Sequence, residues 1–196
     1  MSSRFGWIVI GKNLEADELS IISDFRTIDP VEITTKHATE YLTIKVDDDQ
    51  ELCIGFGKNF TIIQGQYDLG MKIWEDIDSL LEKYSKKTIA IYLAIEGTSG
   101  SELYRKYRNG TLEQSYSSYE GGVATDECFG PLPEKNEFGQ IDEWRLIDEI
   151  EKEGILYDEI SDITLTIRNY SVFKHQEINK STIKNRKWWQ FWKNWG

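Results

Sequence analysis

Apolar positions along this chain recur at two spacings, and the switches between them mark out its elements. Residues 5–10 (FGWIVI) are a short apolar run closed by Gly11, the pattern of a buried strand. Leu14, Leu19 and Ile22 then fall at helical spacing over 14–22, behind Asn13 as a candidate cap and with acids filling the favourable first turn. Residues 40–46 alternate, setting Tyr41, Thr43 and Lys45 opposite Leu42, Ile44 and Val46. Asp47-Asp48-Asp49-Gln50 reads as a turn, and 51–56 as the returning hairpin partner. Residues 60–64 make another strand, or continue the same one past a Gly57-Lys58-Asn59 bend. Over 71–84 the residues Ile73, Trp74, Ile77, Leu80, Leu81 and Tyr84 form one apolar stripe, which predicts an amphipathic helix. Residues 88–96 are long and apolar, and predict a central strand.

In the second half, 102–108 and 111–117 flank Asn109-Gly110, the strongest local hairpin signal in the chain. Residues 119–140 hold four glycines and two prolines and predict a long loop. A second amphipathic helix is expected over 141–154, with Ile141, Trp144, Leu146, Ile147 and Ile150 apolar and Gly154 as its stop. Residues 163–173 predict a last strand. The fold class is therefore α+β: a mixed or antiparallel sheet of several hairpins with two main amphipathic helices packed on it. The first half has ferredoxin-like β-α-β-β-α-β order. The pattern leaves open whether one sheet continues through the second half. Trp7, Trp74 and Trp144 all lie on apolar stripes and are expected in the core.

Length and composition narrow the class. At 196 residues the expectation is a single α+β domain over 1–179 and a Trp/Lys-rich tail over 180–196. With 39% hydrophobic residues and three prolines, the body is expected to be globular. The N-terminus lacks the apolar core of a signal peptide and no run approaches bilayer-spanning length, so a cytoplasmic protein is expected. Cys53 and Cys128 have no metal-site spacing and read as two buried free thiols.

Charge changes the picture more. The formal net charge is −11, yet residues 180–196 carry Lys180, Lys184, Arg186, Lys187 and Lys193 with no acid, leaving −16 on residues 1–179. So acidic a body excludes a nucleic-acid binder and suits a basic protein partner. The acids gather around the second helix, and Asp142, Glu143, Glu149, Glu151 and Glu153 are the candidate partner-binding face. In the tail, Trp188, Phe191, Trp192 and Trp195 fall at i, i+3, i+4 and i+7, with Trp189 adjacent. A helical tail would present them as one aromatic stripe. Three destinations suit that stripe: the acidic body itself, an anionic membrane surface, or a groove on a partner.

No catalytic, metal or cofactor site emerges. His37, expected in a polar loop, and His175, after the last strand, lack ligand spacing. Asp47–Asp49 lacks the frame of a calcium loop. Gly55 and Gly57 lack the continuation of a nucleotide-binding turn, and Ser99 does not make a nucleophile elbow.

Several pieces together resemble a group of uncharacterised bacterial proteins encoded near polymorphic toxin systems. They are Gly6-Trp7-Ile8-Val9, the helix over 74–84, the strand over 89–96, Leu103-Tyr104-Arg105 with Asn109-Gly110, and Gly130-Pro131-Leu132-Pro133-Glu134 before a helix. The resemblance covers residues 5–155. It implies a compact α+β fold and an immunity-like role, with no catalytic residues. The expected function is neutralisation of a basic toxin or effector through the acidic face. A membrane-peripheral accessory protein anchored by the tail is the second expectation, and an uncharacterised enzyme using acids of the 119–140 loop the third.

Overall fold

The computed structural model describes residues 4–14, 33–37, 51–65, 77–96, 100–119 and 127–169. They form strands β1 (Arg4–Ile10), β2 (Ile33–His37), β3 (Glu51–Phe56) and β4 (Thr61–Gly65), a helix over 77–84 (α1), and strands β5 (Ile89–Glu96), β6 (Ser101–Arg108), β7 (Thr111–Ser118) and β8 (Glu127–Phe129). Helices α2 (Glu143–Glu151) and α3 (Tyr157–Asp162) and strand β9 (Thr164–Asn169) complete the set. Among the described residues, nine strands make one sheet in the order β2-β9-β3-β4-β1-β5-β6-β7-β8. Every adjacent pair is antiparallel.

The α+β class is present, while the helix over 14–22 and the strand over 40–46 that the ferredoxin-like order used lie outside the described residues. Strands β5-β1-β4-β3 run side by side, and the chain passes from β4 to β5 through α1, stepping over β1. One sheet continues through the second half: β6, β7 and β8 extend it past β5, and β9 inserts between β3 and β2.

Both edges of β3 are taken, by β4 and β9, so 51–56 is not the hairpin partner of 40–46 within this sheet. Residues 40–46, the Asp47–Asp49 turn, the helix predicted over 14–22 and Trp74 lie outside the described residues, as do the tail and His175. Residues 60–64 turn back as a separate strand, since Phe56 pairs with Thr61 and the Gly57 N–H donates to the Phe60 carbonyl at 2.9 Å. His37 ends a strand rather than sitting in a loop.

The sheet is covered on both faces. On one, Ile8, Ile10, Ile54, Ile63, Tyr92 and Leu103 pack with Ile77, Leu80, Leu81 and Tyr84 of α1. Ile77, Leu80, Leu81 and Tyr84 of the predicted stripe are thus the buried side of the helix, and Ile73 lies outside the described residues. Tyr107 Oη donates to Asp78 Oδ1 at 3.0 Å, joining β6 to α1. Burial, followed by the Asp78 charge, pushes the Tyr107 hydroxyl up to about 12. On the other face, Trp7, Val9, Ile62, Ile91, Leu93, Tyr104 and Tyr116 pack with Leu146, Ile147 and Ile150 of α2 and Ile160 of α3.

Local signals explain the turns. Asn109 and Gly110 both adopt left-handed φ, 52° and 78°, and Arg108 pairs with Thr111 across them, a two-residue hairpin of the I′ kind. Beyond Glu151 the chain leaves helical geometry at Gly154, where φ is 78°.

The 119–140 stretch is not all loop: Glu127–Phe129 adds β8 to the sheet beside β7. Gly130 follows at φ 80°, and a Cβ there would sit 2.1 Å from the Glu113 carbonyl oxygen. Gly139 has φ 81° but open space around it. We expect Gly130→Ala to cost about 3 kcal/mol or more, because backbone must move as well as bear the left-handed penalty. Gly139→Ala should cost only about 1–2 kcal/mol. Urea midpoints of the two variants check this, and equal losses would refute the steric account.

Candidate functional site

On the α2 side of the sheet, side chains become more polar with distance from the centre. One register row runs Ile62, Val9, Ile91, Lys106, Gln114 across β4, β1, β5, β6 and β7. Lys106 and Gln114 are nonetheless buried. A register shift between Lys106 and Tyr107 leaves Glu113 as an extra residue on β7. Such a bulge re-aims a side chain, and Glu113 contacts both Lys106 Nζ at 3.2 Å and Arg108 Nε at 3.2 Å.

Glu153, just past α2, reaches the same two cations, at 2.5 Å from Lys106 Nζ and 2.7 Å from Arg108 Nη2. Burial alone would raise the Glu153 pKa, but hydrogen bonds and charge from Lys106 and Arg108 outweigh it and hold the carboxyl below its ordinary range. Deeper in, Tyr104 Oη donates to Gln114 Oε1 at 3.2 Å, and Gln114 Nε2 donates to Glu149 Oε2 at 3.0 Å and to the Pro131 carbonyl. Lys152 closes the chain on Glu149. A cleft of about 350 Å³ opens over this network, walled by Pro131, Leu132 and Pro133. Three cations face three carboxylates within it, so the network is satisfied internally and leaves no charge for a ligand. It fastens the end of α2 to the β6–β7 hairpin.

That placement redistributes the five acids expected to form one outward face. Glu149 is buried at 6% exposure, and Glu153 is turned into the network. Glu151 accepts a hydrogen bond from the Tyr157 N–H at 2.9 Å, capping the start of α3. Asp142 is exposed and accepts from Asn136 Nδ2 at 2.8 Å. Glu143 is half-buried, and burial raises its pKa. The exposed carboxylates beside them are Asp148, Asp158, Glu159 and Asp162.

The larger surprise is Trp144. It is 58% exposed, not in the core. The helix starts at Glu143, so Ile141 packs from an extended segment, its N–H donating to Tyr116 Oη at 3.0 Å. The buried arc of α2 is then Leu146, Ile147, Glu149 and Ile150, and Trp144 stands on the far side with Asp148 at i+4 and Glu151 at i+7. Its ring is held in place from below. Trp144 meets Tyr157 edge-on with centroids 5.7 Å apart, and Tyr157 meets buried Trp7 at 6.2 Å. A stack of three rings therefore mounts a surface tryptophan on the core. Leu156 at 51% and Phe138, in the loop entering α2, at 78% are exposed nearby in sequence. The outer face of α2–α3 is an aromatic platform among carboxylates. Cys128 is also exposed rather than buried, while the Cys53 side chain lies outside the described set.

Glu102 on β6 lies near Asp142 and Glu143. Burial first, then the Glu143 and Asp142 charges, raise its pKa to about 7. Its proton is held more tightly in the folded chain, so its stabilising contribution is full below the ordinary value of 4.5 and is lost as pH rises through about 7. Glu153 acts oppositely, losing its contribution as pH falls below that ordinary value. We expect the unfolding midpoint of Glu102→Gln to lack the decline that wild type shows between about pH 4.5 and 7. Superimposable wild-type and variant pH profiles would remove Glu102 as the cause.

Fold and surface thus define an α+β protein with a mounted aromatic–acidic platform. Among the described residues no cluster of three or more His, Cys, Asp or Glu side chains is arranged to hold a metal ion. Nor is any described helix long and apolar enough to cross a membrane. Compared with known proteins, the chain matches no family model, no curated protein and no solved structure.

Proposed function

We propose that this is a binding protein of immunity type, which neutralises a basic toxin or effector by covering it with the outer face of α2 and α3. The observation that carries the reading is Trp144, a large aromatic held 58% exposed on a rigid mount among carboxylates. Interface energy concentrates in aromatic anchors that exclude water, with charge at the rim giving rate and selectivity. Exposing a tryptophan to water has no folding benefit, while its fixed rotamer lowers the entropy lost on docking. The acids contribute in two ways. Glu149, Glu151 and Glu153 hold the platform in shape, and Asp148, Asp158 and Glu159 face the partner. The charge of −16 on residues 1–179 supplies the long-range attraction.

The test uses wild type and Asp148→Lys/Asp158→Lys side by side as baits in lysate of the source cell. A basic protein held stoichiometrically by wild type and lost from the variant supports the proposal. Equal capture by both baits sinks it.

A further inference from the structure

We propose that the chain's own basic, tryptophan-rich segment, residues 180–196, docks on the α2–α3 platform and occupies it until a partner displaces it. The inference rests on the reading of that platform as a docking surface, and adds a regulator to it.

Complementarity is the first ground. The platform exposes Trp144 and Leu156 together with Asp148, Asp158 and Glu159, while its two cations, Arg145 and Lys152, face Asp142 and Glu149. The segment offers five cations, no acid, and aromatic residues at i, i+3, i+4 and i+7. Each side supplies what the other lacks: apolar rings to cover rings, and cations for exposed carboxylates.

Reach is the second ground. Strand β9 begins two residues after α3 ends and runs only six residues, so Asn169 is about 20 Å along the chain from the platform. Residues 170–179 span up to about 33 Å when extended, enough to bring the segment back. A tether that short holds the segment at an effective concentration of roughly millimolar, so even weak docking is well populated.

The competing occupants fit less well. A second copy placing the same face against this one would set carboxylates against carboxylates. An anionic membrane would attract the segment but repel the body, which carries −16.

The full-length chain, treated at low micromolar concentration with a zero-length carbodiimide cross-linker, tests this directly. Expected are links from Lys184, Lys187 or Lys193 to Asp148, Asp158 or Glu159, within one chain by mixed-isotope mass spectrometry, and fading in high salt. Trp144→Ala and Trp192→Ala each keep every linkable group and should cut the yield by about fivefold or more. Links only between chains, links spread evenly to acids such as Glu82 of α1, or a yield indifferent to both tryptophans would overturn the proposal. So would loss of the links, with co-sedimentation of the chain, on adding phosphatidylserine vesicles. None of these results touches partner capture by the Asp148 and Asp158 carboxylates, so the two readings fail separately.

Discussion

Trp7→Ala should lower the free energy of unfolding by about 3–5 kcal/mol, whereas Trp144→Ala should change it by less than about 1 kcal/mol. The two tryptophans sit at opposite ends of one stack of rings. Trp7 is 1% exposed in the middle of the sheet, with Gln64 and Leu93 as its cross-strand neighbours. Truncating it removes buried surface and leaves a cavity that β1, paired on both edges, cannot collapse to fill. Trp144 keeps more than half its surface in water, so its loss forfeits little beyond the edge contact to Tyr157. Binding should show the reverse weighting. Trp144→Ala removes the anchor outright, while a folded Trp7→Ala chain only loosens the ring beneath it. Urea titrations of both variants, followed by partner capture, check the pair. Similar stability losses would mean that Trp144 belongs to the core after all.

Asp148→Lys/Asp158→Lys should slow partner association about 10- to 100-fold at low salt, with little effect on dissociation. The double change reverses two charges and shifts the platform by four units. Both residues are exposed, with no side-chain hydrogen bond described for either, so stability should move by no more than about 0.5 kcal/mol. The deficit should shrink as salt rises, since screening removes in wild type what the variant never had. Stopped-flow or surface-binding kinetics across a salt series separates this from a packing defect. A defect confined to the dissociation rate, independent of salt, would assign these acids to close contact rather than steering.

The parts of this architecture set by short-range chemistry could be read from the chain. Asn109-Gly110 specified its hairpin because both positions need left-handed φ. The stripe of α1 and the continuous apolar run of β5 each matched one burial period. Pairing over long distances was not legible. Nothing local in 164–169 announces that this strand inserts between β3 and β2, and nothing in 51–56 says that both its edges will be claimed.

At the candidate site, the acidic content of α2 was visible but its division of labour was not. Whether Glu149 faces in or out depends on helix phase, and that phase hung on where the helix begins. Counting Ile141 as helical rotated the predicted apolar stripe onto Trp144. The inward cations were the other hidden element. Lys106 and Arg108 alternate like solvent-facing strand residues, and only the bulge at Glu113 and the arrival of Glu153 explain their inward setting. A glutamate three residues before Lys152, opposite a strand bearing Lys106 and Gln114, was the one available hint.

The central claim is that a basic partner covers the outer face of α2 and α3. Hydrogen exchange on the isolated complex, against the free chain, tests it most directly. The account predicts new protection concentrated in residues 134–162, with the helix over 77–84 on the opposite face unchanged. Protection centred on 77–84, with residues 143–162 exchanging as in the free chain, would contradict it.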